Sequence, residues 1–123
     1  MNKKAINEWI PDAYDVLSQA NIAINGRVKK GYRSQISSFG SIITMGSLKS
    51  AVAIFLSSSQ SELDRTKLMD AVWRLLEKRS LVGVEFESLW DYIEKTDNAQ
   101  ARVNILNATV ALKLAMNLYT LIS

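Results

Sequence analysis

The sequence predicts an all-α protein, a compact bundle of five or six helices in a single domain spanning 1–123. Three observations carry that expectation. Apolar residues recur at helical spacing nearly throughout, with no convincing period-2 stretch. One Pro and five Gly in 123 residues are too few for an all-β design, which needs turn residues at every reversal. Ala101, Ile105, Ala108, Leu112, Ala115, Tyr119 and Ile122 alternate steps of four and three, the spacing of a helix seam.

The first helix is expected to begin near Ile10, with Pro11 in the tolerated first turn and Asp12 and Asp15 complementing the dipole. Ile10, Tyr14, Leu17, Ala20 and Ile24 form its stripe, and Asn25-Gly26 ends it as a turn. A second helix opens around Val28 and runs through Tyr32, Ile36 and Phe39 to Gly40. A third, 41–57, stacks Ile42, Ile43, Leu48, Ala51, Val52, Ile54 and Phe55. Gly40 and Gly46 would each cost about 1 kcal/mol against Ala inside a helix. Such positions point to a kink or a close approach of another backbone.

Ser59 and Glu62 have capping-box spacing ahead of the fourth helix. There Leu63, Leu68, Ala71, Val72, Leu75 and Leu76 line one side, while Arg65, Lys67, Asp70, Arg74, Glu77 and Lys78 face outward. A connector at 80–87 leads to a short helix with Phe86, Leu89, Trp90 and Ile93, flanked by Glu85, Glu87, Asp91 and Glu94. Asp97 with Gln100 starts the last helix. Val103, Leu106, Val110, Leu114, Leu118 and Leu121 give that helix a second apolar side. A helix apolar nearly all round is either central or shared with another subunit. Buried area is scarce in a small domain, which favours the centre.

Composition removes most catalytic chemistry. Cys and His are both absent, excluding disulfide frameworks, zinc fingers, Cys/His nucleophilic sites and Ser-His-Asp triads. There is no phosphate-cradling Gly loop and no nucleophile elbow. The carboxylate pairs Asp12/Asp15, Glu62/Asp64, Glu85/Glu87 and Asp91/Glu94 sit on polar faces or at helix starts, not in a core where a di-metal site would lie. The expectation is a non-enzyme with no cofactor and no metal. Glu8, Pro11, Asp12 and Asp15 stand where a signal peptide would be apolar. The longest apolar region, 42–56, contains Lys49 and is too short and polar to span a bilayer. A cytoplasmic protein without a membrane partner is expected.

The charge is not scattered. Lys plus Arg number 15 against 12 acids, a net charge of +3, yet no Asp or Glu occurs between Asp15 and Glu62. Arg27, Lys29, Lys30, Arg33 and Lys49 fall in that stretch. Lys29, Lys30 and Arg33 occupy the first two turns of the second helix, where the dipole disfavours each cation by about 0.3–1 kcal/mol. A bound phosphate would offset that cost, because amides and side chains would address one anion. A solvated basic face is the competing reading, and it is the preferred one for the Arg74–Lys78 ridge. A helix-turn-helix reader also competes, although the helix after Gly46 suits a core better than a major groove. A pure protein adaptor would show no nucleic-acid affinity at all.

Tyr32-Arg33-Ser34, followed by Ile42-Ile43, Gly46-Ser47-Leu48 and Ala51-x-Ala53-Ile54-Phe55, resembles the small all-helical subunit of type III-B CRISPR effector complexes, the fifth protein of the Cmr module. Leu68 to Leu76 with Trp73 and the apolar final helix continue the resemblance, which covers the chain from about Val28 onward. Phe39-Gly40-Ser41 stands where family members often carry a Pro, and Met116, Asn117 and Thr120 replace a Trp and basic residues at the end of the final helix. The resemblance implies a non-catalytic, RNA-binding role. Several copies would stack along a ribonucleoprotein with other Cmr-module subunits, their basic faces lining the groove for CRISPR RNA and target RNA. On that reading Arg27, Lys29, Lys30, Arg33 and Lys49 contact RNA. The small subunit of the type III-A complex and a small helical DNA-binding regulator are the alternatives.

Overall fold

The computed structural model describes residues 2–57 and 63–123. Among them six helices form the bundle: α1 (Lys3–Gln19), α2 (Lys30–Met45), α3 (Leu48–Ser57), α4 (Arg65–Lys78), α5 (Leu89–Lys95) and α6 (Asn98–Met116). The mostly helical fold read from the sequence is the fold observed. It carries one addition, a small sheet of β1 (Ala23–Ile24), β2 (Arg27–Lys29) and β3 (Thr120–Ile122) in the order β1-β2-β3. β1 and β2 pair antiparallel, and β2 and β3 pair parallel with Val28 opposite Leu121.

α1 begins seven residues before the expected start near Ile10 and passes straight through Pro11. Asn2 caps it, its side-chain oxygen accepting from the amides of Lys4 and Ala5 at 3.1 and 3.2 Å. A Pro inside a helix costs about 3 kcal/mol. Ile6 and Trp9, each about 1.5–3 kcal/mol when fully buried, lie before it in the core and offset that cost. The buried face is Ile6, Trp9, Ala13, Val16 and Leu17; of the expected stripe, Leu17 and Ala20 are buried and Ile10 packs against the core. Tyr14 and Ile24 are exposed instead.

The boundary between the second and third helices also moves. α2 runs unbroken through Gly40 and stops at Gly46, whose amide donates to the Ile42 carbonyl at 2.8 Å. The break falls there because Ser47 then caps α3, accepting from the Ser50 amide at 3.0 Å. A Cβ on Gly46 would lie 2.9 Å from the Ile42 oxygen, whereas one on Gly40 would meet only the Thr109 methyl at 3.5 Å. Gly40 therefore marks the close approach of α2 to α6, and an alanine fits it.

α6 is central. It packs on α1, α2, α4 and α5, and Ala101, Ile105, Ala108, Ala111, Leu112 and Ala115 are fully buried. Its small residues let four neighbours approach closely. Asp97 caps it by accepting from the Gln100 amide at 3.2 Å, as the spacing predicts. A buried polar link, Asn104 Nδ2 donating to the Tyr92 hydroxyl at 3.0 Å, fixes α5. The helix stops at Met116, so Tyr119 and Ile122 belong to the segment beyond the expected seam. The Ser59–Glu62 capping box lies outside the described residues; Asp64 caps α4, accepting from the Thr66 amide at 2.9 Å. Among the described residues no helix is long and apolar enough to cross a membrane.

The C-terminal segment is pinned to α1. The rings of Tyr119 and Tyr14 stack at 4.3 Å, and the Tyr119 hydroxyl donates to the Tyr14 carbonyl at 2.6 Å. Burial, with the neighbouring Tyr14 second, pushes the Tyr119 phenol up to about 12. A raised phenol favours the protonated native state, so its stabilisation is complete below about pH 10 and is lost as pH rises towards 12. In a spectrophotometric titration of the folded protein, Tyr119 is expected to ionise only towards pH 12, and Tyr119→Phe to take one phenol out of the late part of the curve, leaving buried Tyr32, which burial also raises. Gly40→Ala is expected to raise stability by about 0.5–1 kcal/mol in urea unfolding, through helix propensity alone.

Candidate functional site

The basic segment is built on a two-residue hairpin. Ile24 pairs with Arg27, and the intervening Asn25 and Gly26 both have positive φ, 53° and 76°. That is the backbone of the turn whose twist matches a right-handed strand pair, and Asn-Gly is its preferred sequence. The same dipeptide was expected only to end a helix. Instead it reverses the chain and starts β2 at Arg27.

Strand geometry then sorts the charges. Val28 is fully buried, so its neighbours Arg27 and Lys29 both project to the opposite face and are exposed. α2 opens directly at Lys30, not at Val28, with Lys29 as a cap residue that supplies no side-chain hydrogen bond and no acid in its first turn. The N-cap residue therefore gives the first amides of α2 no side-chain bond, and Arg27, Lys29 and Lys30 fall at or just before that helix start. Tyr32 is buried, so it is a core anchor and not an exposed stacking partner for Arg33.

Arg33 sits one turn into α2, half-buried, and its Nε donates to Asn117 Oδ1 at 2.8 Å. This clamps the guanidinium beside the C-terminal end of α6, where the helix dipole favours a cation. Its two terminal nitrogens remain as donors. Lys49 is placed elsewhere. It is exposed at the start of α3, separated from Lys30 by the whole length of α2, about 24 Å for 16 residues. The structure therefore groups Arg27, Lys29, Lys30 and Arg33 and leaves Lys49 at the far end of the helix.

Pairing separates this group from Arg74, Lys78 and Arg79. On α4, Arg74 bonds Asp70 at 2.8 Å, Lys78 lies 3.5 Å from Asp15, and Arg79 bonds Asp12 at 3.0 Å. Arg65 stacks on the Phe55 ring at 4.8 Å and Arg79 lies over Trp9 at 5.9 Å. The Arg74–Lys78 ridge is consequently neutralised within the fold. Arg27, Lys29, Lys30 and Lys49 make no ion pair among the described residues. On α5, Asp91 bonds Lys95 at 2.8 Å and accepts from the Glu87 amide at 3.0 Å. Lys95 foremost, then that amide, holds the Asp91 carboxyl below its usual range.

Two participants escape a reading of the sequence. Lys67, from the first turn of α4, and Ile122, from β3, line a cavity of about 320 Å³ beside Arg27 and Lys29. The hairpin had a legible signal in Asn25-Gly26 flanked by Ile22, Ala23, Ile24 and Val28. Lys67 had none, because only tertiary packing brings α4 to the sheet. Among the described residues no group of three or more Asp and Glu side chains is arranged to hold a metal ion.

No protein-family model, no curated protein and no solved structure matches the chain. The meaning of this face therefore rests on its own chemistry. Gly26→Val is expected to cost about 1–2 kcal/mol, since a β-branched side chain at positive φ is strained. It should also displace Arg27 and Lys29 together, read as chemical-shift changes along β2 and β3.

Proposed function

We propose that the protein is a non-catalytic RNA-binding subunit of a type III-B CRISPR effector, holding the guide and target backbone on the face of Arg27, Lys29, Lys30 and Arg33. The observation that carries the reading is a run of cations without ion pairs: Arg27, Lys29 and Lys30, at a strand and the helix start that follows it, pair with no acid among the described residues, whereas Arg74 and Lys78 of α4 are neutralised within the fold. Cations without ion pairs among the described residues, at a helix start whose N-cap side chain makes no bond, suit phosphate oxygens, which accept from both cation and amide. Recognition of this type reads backbone and not sequence. It is weak for one copy and gains from repetition, because each further copy engages more phosphates at high effective concentration.

Glu85, Glu87 and Glu94 around α5 are exposed. An acidic surface of this kind suits head-to-tail stacking of copies, basic face to acidic face. The resemblance at Tyr32-Arg33-Ser34 and Gly46-Ser47-Leu48 supplies the particular complex. A major-groove reader is the weaker reading, because the exposed side of α3 carries Lys49 as its only charge.

Purification of the tagged protein from the cells that make it is expected to recover a short CRISPR-derived RNA with larger Cmr-module subunits. Recovery with type III-A partners would reassign the complex, and recovery alone or with duplex DNA would overturn the proposal. With single-stranded RNA in vitro, Lys30→Glu with Arg33→Glu is expected to weaken binding at least tenfold at low salt. The slope of log K against log salt should become shallower by about 0.7 for each phosphate that the variant no longer neutralises.

A further inference from the structure

The cavity beside the basic face is not a simple extension of it. Three elements distant in sequence close around it: the hairpin through Ile24, Arg27 and Lys29, α4 through Lys67, and β3 through Ile122, with Tyr32 at its base. Its volume of about 320 Å³ lies at the lower end of small-molecule sites, about 300–1,000 Å³. That is room for one compact ligand.

Its lining has three chemistries in one place. Arg27, Lys29 and Lys67 supply positive charge from two sides, and no acid lines the cavity among the described residues. Lys67 is held half-buried across the rim, its Nζ donating to the Asn21 carbonyl at 3.5 Å. Asp64 is the acid near Tyr32 and Lys67; it does not line the cavity, and its Oδ1 accepts from the Thr66 amide and hydroxyl in capping α4. Ile24, 57% exposed, and the half-buried Ile122 form an apolar wall. The side-chain amides of Asn21 and Asn25 add donors and acceptors at the edge.

A phosphate alone would use the cations and leave the isoleucines exposed. An apolar ligand would leave three charges unmatched. A ligand that is anionic at one end, flat and apolar on its faces, and edged with hydrogen-bonding groups satisfies all three. We propose that this cavity is a subsite for a single nucleotide, with the phosphate at Arg27, Lys29 and Lys67 and the nucleoside against Ile24 and Ile122. The nucleotide is either free or one unpaired unit of a strand whose backbone continues over Lys30 and Arg33. The second source rests on the RNA-binding function proposed for this face. Unstacked bases are what RNA-binding proteins hold in such pockets, using contacts to the base edge.

The test follows amide resonances of the full chain while each of the four nucleoside 5′-monophosphates, or inorganic phosphate, is added. At least one nucleotide is expected to shift Asn21, Ile24, Lys29 and Lys67 together and to bind at least tenfold tighter than phosphate. Lys67→Ala should weaken that binding about tenfold. Ile24→Glu, at an exposed position that does not load the core, should abolish it. Lys49→Ala, at the far end of α2 and beyond the screening length, should leave it within twofold. No shift with any nucleotide, equal affinity for phosphate, or indifference to Ile24→Glu would overturn the subsite.

The strand arm uses a single-stranded RNA hexamer. Loss of hexamer affinity in Ile24→Glu assigns the pocket to a unit of the strand. Loss of mononucleotide binding alone assigns it to a free nucleotide and upholds the site. If no RNA binds while a mononucleotide does, the RNA-binding reading fails and the subsite stands.

Discussion

The basic face depends on where one small apolar side chain goes. Val28 is the middle residue of a three-residue strand, fully buried between an arginine and a lysine. Because strand side chains alternate, sending Val28 inward sends Arg27 and Lys29 outward together. A helix through the same residues would have spread them by about 100° per step and scattered their directions. The strand needs partners to exist, since a two-residue hairpin arm is not stable alone. β3 provides the second one, and the stacked Tyr14 and Tyr119 hold β3 in reach.

Behind that face stands the ordering role of α6. A helix wrapped by α1, α2, α4 and α5 fixes the relative positions of everything it touches. Arg33 bonds to Asn117 at its C-terminal end, and Arg102, from its second turn, donates to the Thr44 carbonyl at the end of α2 at 3.3 Å. Both ends of α2 are thereby referenced to the same central rod. The cations at the start of α2 inherit a rigid mounting, which limits the entropy lost when a charged ligand fixes them.

Much of the bundle was legible because burial leaves a periodic trace. Tyr32, Ile36 and Phe39, Leu68 to Leu76 and the Asp97 cap could all be placed from spacing. The misreadings have distinct causes. Pro11 argued for a helix start, but propensity yields when Ile6 and Trp9 bury on the far side of it. Two glycines competed to end α2, and the choice fell to Gly46 because Ser47 could cap the next helix. The sheet was missed because strands of two and three residues are shorter than any window in which alternation can be counted. Its one strong signal, Asn25-Gly26, was read as a helix stop and not as a reversal. The cavity was not legible at all, since Lys67 and Ile122 join it only through tertiary packing.

The parallel pairing of Arg27 with Thr120 gives the face a further property. The two strands lie far apart along the chain, with most of the bundle folded between them. Closing so long a loop costs entropy that only the assembled helices repay. A partner that grips this surface consequently holds a seam between distant segments, not a local hairpin. Its binding energy is coupled to the unfolding of the whole bundle, because the two segments of the seam are held together in the folded chain and not in the unfolded one. Occupancy would therefore lift the melting temperature of the entire protein and not merely quiet one corner of it.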